Sequence, residues 1–154
     1  MNAQAQHQQP RASTDTGTLL AFDVGTRRIG VAVGERGPGT AHGIDVVRVH
    51  RAGVDWQHIE RLVTQWEPRA FVVGVPFDGE GGETSMSAIA RRFGAALGKR
   101  FARPVHWVDE RLTSDAAEAM LRMAGTRIRS EGRRDRIAAQ LILETFLNAG
   151  GMQQ

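Results

Sequence analysis

Cysteine is absent from this chain of 154 residues, and its five histidines are scattered. Without cysteine the protein can form neither disulfide bonds nor a thiolate zinc site, and such a chain suits a reducing compartment. The histidines do not form the closely spaced pairs typical of zinc enzymes. A chain of this length can bury about two thirds of its unfolded surface, so one domain needs no crosslinks.

Long apolar runs are also missing. Residues 1–17, MNAQAQHQQPRASTDTG, have neither the apolar region nor the cleavage site of a signal peptide. No later segment reaches the about 18 apolar residues of a membrane-spanning helix. We therefore expect a disordered tail over 1–17, one domain over 18–149, a short C-terminal tail over 150–154, and a soluble, cytoplasmic protein.

Lysine is nearly absent, since Lys99 is the one lysine among 20 basic residues, against 17 acidic residues. An arginine bias of this kind follows simply from genome composition. The positions say more, because a cluster of arginines falls between residues 122 and 136: Arg122, Arg127, Arg129, Arg133, Arg134 and Arg136. Such a patch is a candidate contact for phosphate groups, although a solvated loop is the usual role of a charged run.

The hydrophobic pattern predicts five strands and four helices. The strands cover 19–24, 29–33, 44–50, 70–75 and 104–110. The helices cover 56–66, a stripe through 86–97, a segment from the capping residue Thr113 or Ser114 to Gly125, and 135–149. Three adjacent strands followed by strand and helix alternation predict an α/β fold, in which helices flank a mixed five-stranded sheet with antiparallel and then parallel strands.

Acidic residues stand at the boundaries of three of these elements. Asp23 ends the first strand, Asp109 and Glu110 end the fifth, and Asp135 lies on the apolar face of the last helix. If the first, fourth and fifth strands are parallel, these acids meet at the sheet edge where open α/β sheets bind ligands. Crowded carboxylates repel one another, and a bound cation is the usual remedy.

Each acid also has an ordinary structural interpretation. Asp135 is a candidate N-cap of the last helix, and Asp109 or Glu110 is a candidate partner for Arg111. The coincidence of three acidic positions in one region favours a shared site. Oxygen ligands without His or Cys favour Mg²⁺ or Mn²⁺. Two such ions about 4 Å apart promote phosphodiester cleavage, which makes nuclease chemistry a natural hypothesis.

Basic and small residues near these acids are candidate substrate contacts. Gly25 permits a tight turn and close approach of a phosphate, whereas Gly30 is a candidate packing glycine. Arginines around the acids would contact a nucleic-acid backbone. The candidate substrate-binding residues are therefore Gly25, Arg27, Arg28, Arg111, Arg129, Arg133 and Arg134.

Four segments together resemble a known family. DVGTRRIGVAVG, VVGVPFDGEGG, DERLTS and DRIAAQLILETFL, in this order, are similar to the YqgF/RuvX family, described as pre-16S rRNA nucleases and formerly as Holliday junction resolvases. The resemblance covers about residues 18 to 149. It implies an RNase H-like fold and a metal pair bound by Asp23, by Asp109 or Glu110, and by Asp135. Strand alternation puts Asp109 and Glu110 on opposite faces, so one of them is expected to be the ligand.

The resemblance departs from the family pattern in two ways. Better-studied resolvases of this fold use four acids, whereas three positions converge here. The residue before the helix acid is usually apolar in relatives but is Arg134 in this chain, which we interpret as an added phosphate contact.

The sequence favours a metal-dependent endonuclease that processes the 5′ end of pre-16S rRNA. A resolvase of branched DNA is the nearest alternative, and it would need a twofold dimer. A nucleotide-binding protein is a third, because FDVGTRRIGVAVG resembles a phosphate motif of sugar kinases, which need two such lobes. A non-catalytic rRNA-binding assembly factor is the fourth. Expected partners are structured RNA, branched DNA and ribosomal precursor particles, and the protein is expected to be a monomer or homodimer.

Overall fold

A single mixed sheet organises the chain. The computed structural model describes residues 17–112, 119, 122 and 131–149. Its strands are β1 (Thr18–Val24), β2 (Arg28–Glu35), β3 (Thr40–His50), β4 (Gly53–Val54), β5 (Ala70–Val75) and β6 (Val105–Asp109). The order across the sheet is β4-β3-β2-β1-β5-β6. Strands β1 to β4 form an antiparallel meander, and β5 and β6 run parallel to β1.

Helices cover both faces of this sheet. Two of them, α1 (Trp56–Trp66) and α2 (Ser85–Phe101), pack on one face, and α3 (Glu131–Asn148) packs on the other. Side chains alternate between the faces along each strand. In β1, Leu20 and Phe22 belong to the core under α1 and α2, whereas Leu19 and Ala21 belong to the core under α3. The strand β5, which lies between β1 and β6, is buried along its whole length, as its unbroken apolar sequence predicts.

Local sequence signals account for the helix ends. Asp55 caps α1 by accepting a hydrogen bond from the backbone N–H of His58. Thr84 and Ser87 form a reciprocal capping box at the start of α2. The helix α1 ends at Glu67 in the left-handed conformation, directly before Pro68.

Three sequence-based expectations need correction or limits. The sheet has six strands rather than five, because the chain after β3 turns back and pairs Gly53–Val54 with the end of β3. The last helix begins at Glu131, four residues earlier than expected, so Asp135 lies inside the helix and is not its N-cap.

The expected helix from Thr113 or Ser114 to Gly125 lies outside the described residues apart from positions 119 and 122, as do the two expected tails apart from Gly17. No helix in the described part of the chain is both long and apolar enough to cross a bilayer.

Candidate active site at the carboxyl edge of the sheet

Asp23 occupies the centre of the candidate site. It is the sixth residue of β1, and alternation places it on the same face as Leu19 and Ala21, under α3. The neighbouring strands are β2 on one side and β5 on the other. Each of them carries a glycine beside Asp23, namely Gly30 in β2 and Gly74 in β5.

Gly30 lets the helix acid approach Asp23. In the β1–β2 ladder Gly30 pairs directly with Asp23. A Cβ atom on Gly30 would collide with the backbone carbonyl of Asp135, so α3 crosses β2 at van der Waals distance here. The approach brings Asp135 near enough for its negative charge to raise the pKa of Asp23. The packing role expected for Gly30 is therefore confirmed.

Gly74 makes the same kind of room for Glu110. Glu110 begins the 3-10 turn after β6, and β5 separates β6 from β1. A Cβ atom on Gly74 would lie 2.7 Å from Oε2 of Glu110 and 2.5 Å from Cδ1 of Ile142. The missing side chain thus leaves space over β5 for the Glu110 carboxylate, which interacts electrostatically with Asp23.

Asp109 belongs to a different cluster. Its two carboxylate oxygens accept hydrogen bonds from Nε and Nη2 of Arg111, at 3.0 and 2.5 Å, and Oδ1 also accepts the Arg111 backbone N–H at 2.9 Å. These bonds lower the pKa of Asp109. The Arg111 guanidinium in turn lies 4.9 Å from the centre of the Phe77 ring. The structure therefore places Glu110 with Asp23 and pairs Asp109 with Arg111.

Burial, together with the charges of neighbouring carboxylates, raises the pKa of the two central acids, Asp23 and Glu110. Burial, and to a smaller extent the negative charge of Asp135, raises the pKa of Asp23 to about 6, and the positive charge of Arg134 partly offsets this rise. Burial, and to a smaller extent the negative charges of Asp23 and Asp109, raises the pKa of Glu110 to about 7. Both groups therefore destabilise the folded protein when they are ionised.

The cost of burying the Asp23 charge near Asp135 predicts that Asp23→Asn stabilises the protein, and more so at alkaline pH. Between pH 3.8 and about 6 the folded protein keeps a proton that an unfolded Asp23 has already released. The contribution of Asp23 to stability therefore falls as pH rises through this window and stays low above it. Urea unfolding at about pH 8 should show Asp23→Asn more stable than wild type by about 1 to 3 kcal/mol, and the gain should shrink near pH 4. Asp109→Asn, which loses a favourable ion pair, should give no such gain.

The candidate substrate-binding residues are distributed around the acids. The Gly25 N–H donates to the Arg28 carbonyl at 2.9 Å and closes the turn between β1 and β2, in which Arg27 is exposed. Nε of Arg28 donates to Oδ2 of Asp135 at 2.5 Å, so Arg28 holds the helix acid. Arg133 and Arg134 are exposed on the first turn of α3. Arg129 lies outside the described residues.

The acids have the type of ligand atom that divalent cations prefer, but the described side chains do not surround a common point. Asp23 and Glu110, with Asp135 near Asp23, are carboxylates whose charges repel, and a hard cation would stabilise such a donor set. Among the described residues, however, no three acidic or histidine side chains converge on one point at ligand distance. The Asp135 carboxylate is turned toward Arg28 instead. The types of donor atom suit a hard divalent cation, although the described carboxylates do not form a ready-made set of ligands.

Sequence reasoning missed the part that Gly74 plays. The segment AFVVGV was correctly predicted as a buried strand, but its glycine was given no function. A glycine inside an apolar strand marks a close approach by another group, and that signal was available in the sequence. Which group approaches depends on the position of β5 between β1 and β6.

The sequence is similar to a known family and to named bacterial proteins. A family model described as RuvX, Holliday junction resolvase, matches residues 17–149. A protein of Thiobacillus denitrificans named "Putative pre-16S rRNA nuclease" is 42% identical over 134 residues, which cover 86% of this chain and 92% of the relative. A protein of Neisseria gonorrhoeae with the same name is 43% identical over 137 residues, covering 87% and 89% of the two chains.

Solved structures with the same fold are more distant in sequence. The structure of T. thermophilus RuvC in complex with a Holliday junction substrate has a TM-score of 0.57 and 15% identity, covering 88% of this chain and 96% of that chain. A second Thermus thermophilus RuvC structure has a TM-score of 0.51 and 14% identity, with coverage of 86% and 96%. This likeness confirms the expected RNase H-like fold. On the family match and the sequence identity of its relatives, the chain belongs to the RuvX family.

Proposed function

We propose that this protein is a metal-dependent endonuclease that hydrolyses a phosphodiester bond during 5′-end processing of pre-16S rRNA. The observation that carries the proposal is the pair of partly buried carboxylates at the carboxyl edge of the sheet, where the charge of Asp23 acts on Glu110. The names of the relatives support the choice of substrate. The proposal includes Mg²⁺ or Mn²⁺ as cofactor.

Asp23 and Glu110 would hold the cation in this proposal, with Asp135 completing the set of carboxylates. A divalent ion supplies an activated water and neutralises the charge that develops on the phosphate. The protein contributes the rigid placement of the acids, which come from the strand β1, the 3-10 turn after β6 and the helix α3. Arg134 is close enough to Asp23 to lower its pKa, so its charge also acts where a scissile phosphate would lie.

The remaining basic residues would position the RNA strand. Arg27 and Arg133 are exposed near the acids, and guanidinium groups bind phosphate oxygens through paired hydrogen bonds. Arg111 is assigned a different role, because it holds Asp109 and contacts Phe77. We propose that Arg111 mainly orders the segment next to Glu110.

The test is cleavage of a pre-16S rRNA fragment by purified protein in the presence of Mg²⁺ or Mn²⁺. Wild type is expected to cut near the mature 5′ end, and both a chelator and the Asp23→Asn substitution are expected to stop the reaction. Equal cleavage by wild type and Asp23→Asn would show that the activity does not come from this site. A four-way DNA junction serves as the competing substrate, and preferential junction cutting would replace RNA processing by junction resolution.

A further inference from the structure

A cleft beside the acids is lined by arginines. It has a volume of about 370 Å³ and lies between the strands β2 and β3 and the start of α3. We call it the arginine cleft and define it by its lining residues: Arg28, Asp45, Val46, Arg48, Gly132 and Arg136. Its volume is in the range of small-ligand sites. Arg28 is paired with Asp135, and the two further guanidinium groups, those of Arg48 and Arg136, indicate an anionic ligand.

The one carboxylate among these lining residues, that of Asp45, is hydrogen-bonded to groups other than the arginines. Oδ2 of Asp45 lies 2.8 Å from Nε2 of His58 in α1, and Oδ1 accepts the Val46 backbone N–H at 2.8 Å. The β2–β3 register shifts between Val31 and Ala32, which leaves Ile44 as an extra residue just before Asp45. Such a bulge redirects the side chains that follow it. The Asp45 carboxylate is thereby engaged by α1 and the β3 backbone.

The walls of the arginine cleft are held in place by the fold. Gly132, Arg136 and Gln140 are spaced four residues apart and form one stripe along α3. Oε1 of Gln140 accepts the Gly43 backbone N–H at 3.0 Å, which ties this stripe to β3. A Cβ atom on Gly43 would collide with the backbone carbonyl of Arg136, so helix and strand are in direct contact. The arginine at position 136 therefore projects from a fixed backbone.

Arg28 connects the arginine cleft to the acids. Its Nε donates to Asp135 while the same side chain lines the cleft. Asp135 and Arg136 are consecutive in α3, and one lies beside Asp23 while the other lines the cleft. An anion in the cleft would consequently lie about one side chain away from the carboxylates.

We propose that the arginine cleft binds a backbone phosphate of the RNA strand that is cut, next to the phosphate at the acids. The identity of the RNA rests on the proposed nuclease function, but binding in the cleft can be measured without cleavage. Contacts between arginine and phosphate fix the position of a strand and do not read its sequence. The cleft thus sets which phosphodiester bond reaches the acids.

The experiment measures binding of a fluorescent single-stranded RNA oligonucleotide to the full chain in EDTA, by anisotropy over a range of salt concentrations. Arg48→Gln and Arg136→Gln are each expected to weaken binding roughly fivefold to tenfold at low salt. Each should also reduce the slope of log K against log salt by about 0.7, the value for one lost phosphate contact on a single strand. Arg48→Lys should retain most of the affinity, because the salt-dependent part of binding depends on the positive charge, which lysine keeps.

Arg61→Gln is the matched control, because Arg61 is exposed on α1 across the sheet from α3. Its affinity and salt slope should equal those of wild type. The proposal is overturned if Arg48→Gln and Arg136→Gln, with wild-type melting temperatures, bind RNA as wild type does, or if Arg61→Gln loses as much affinity. Wild-type protein that binds RNA through the cleft but cuts no RNA would contradict the proposed function and leave the cleft proposal intact.

Discussion

Glu110→Gln is expected to reduce RNA cleavage by at least about 100-fold, the range seen when a group that directly stabilises charge in the transition state is lost. The carboxylate of Glu110 is partly buried, lies in the space over Gly74 and interacts with Asp23. An amide keeps the shape of the side chain but removes the negative charge that a divalent cation needs. Single-turnover cleavage at saturating Mn²⁺ measures the loss.

Asp109→Asn provides the decisive comparison for Glu110. Its carboxylate is bound by Arg111 and interacts with Glu110 from outside the central pair, so cleavage should stay within about fivefold of wild type. Glu60→Gln, at an exposed position of α1, controls for the chemical change from acid to amide. A large loss in Asp109→Asn together with near-normal cleavage by Glu110→Gln would reverse the assignment of the two acids.

Gly30→Ala is expected to destabilise the protein by at least about 3 kcal/mol. The new methyl group would meet the backbone carbonyl of Asp135, and a backbone group of a packed helix cannot rotate away as a flexible side chain does. For a domain of this size such a loss lowers the melting temperature by roughly 6 to 12 °C. Cleavage should also fall, since any shift of α3 carries Asp135 away from Asp23.

Gly37→Ala is the matched control for this substitution. Gly37 lies in the turn between β2 and β3, and a Cβ atom there would have no heavy atom within 4 Å. Its melting temperature should match that of wild type. If Gly30→Ala melts like Gly37→Ala, then α3 does not depend on the glycine for its approach to the sheet.

Gly30 and Gly74 allow acids that repel one another to lie close together in a packed fold. Asp23 and Glu110 cost the fold free energy because both are partly buried and both lie near other carboxylates, whose charges raise their pKa further. The backbone of α3 packs directly against Gly30, and such close packing prevents the acids from moving apart. This arrangement is consistent with a site preorganised for a cation.

Much of the fold could be predicted from local patterns. The apolar run at 70–75 and the helical periodicity of 56–66 correspond to observed elements with the expected bounds. The short strand Gly53–Val54 could not be predicted, because two residues carry no periodicity and pair only when β3 is already in place. The start of α3 was also missed, since its first turn, EGRR, is polar on every side and gives no apolar stripe.

The resemblance to the YqgF/RuvX family was carried by four motifs, and the family match and the relatives confirm it. Those motifs indicated which acids are candidates for the site but left Asp109 and Glu110 as alternatives. Side chains alternate along β6, so that Val108 faces α3 and Trp107 contacts Gly94 of α2. Continuing this alternation puts Glu110 on the face that α3 covers and Asp109 on the opposite face. The choice therefore depends on which face α3 covers.

The sequence by itself determined the class of fold, the family and the three positions of the acids, since these follow from local periodicity and from motifs within single segments. Tertiary structure decided that Glu110 and not Asp109 lies with Asp23, that Arg28 pairs with Asp135 across 107 positions, and that Arg28, Arg48 and Arg136 line one cleft. Each of these results depends on where α3 sits on the sheet. That placement is set by packing between segments far apart in the chain, around glycines whose partners no local pattern identifies.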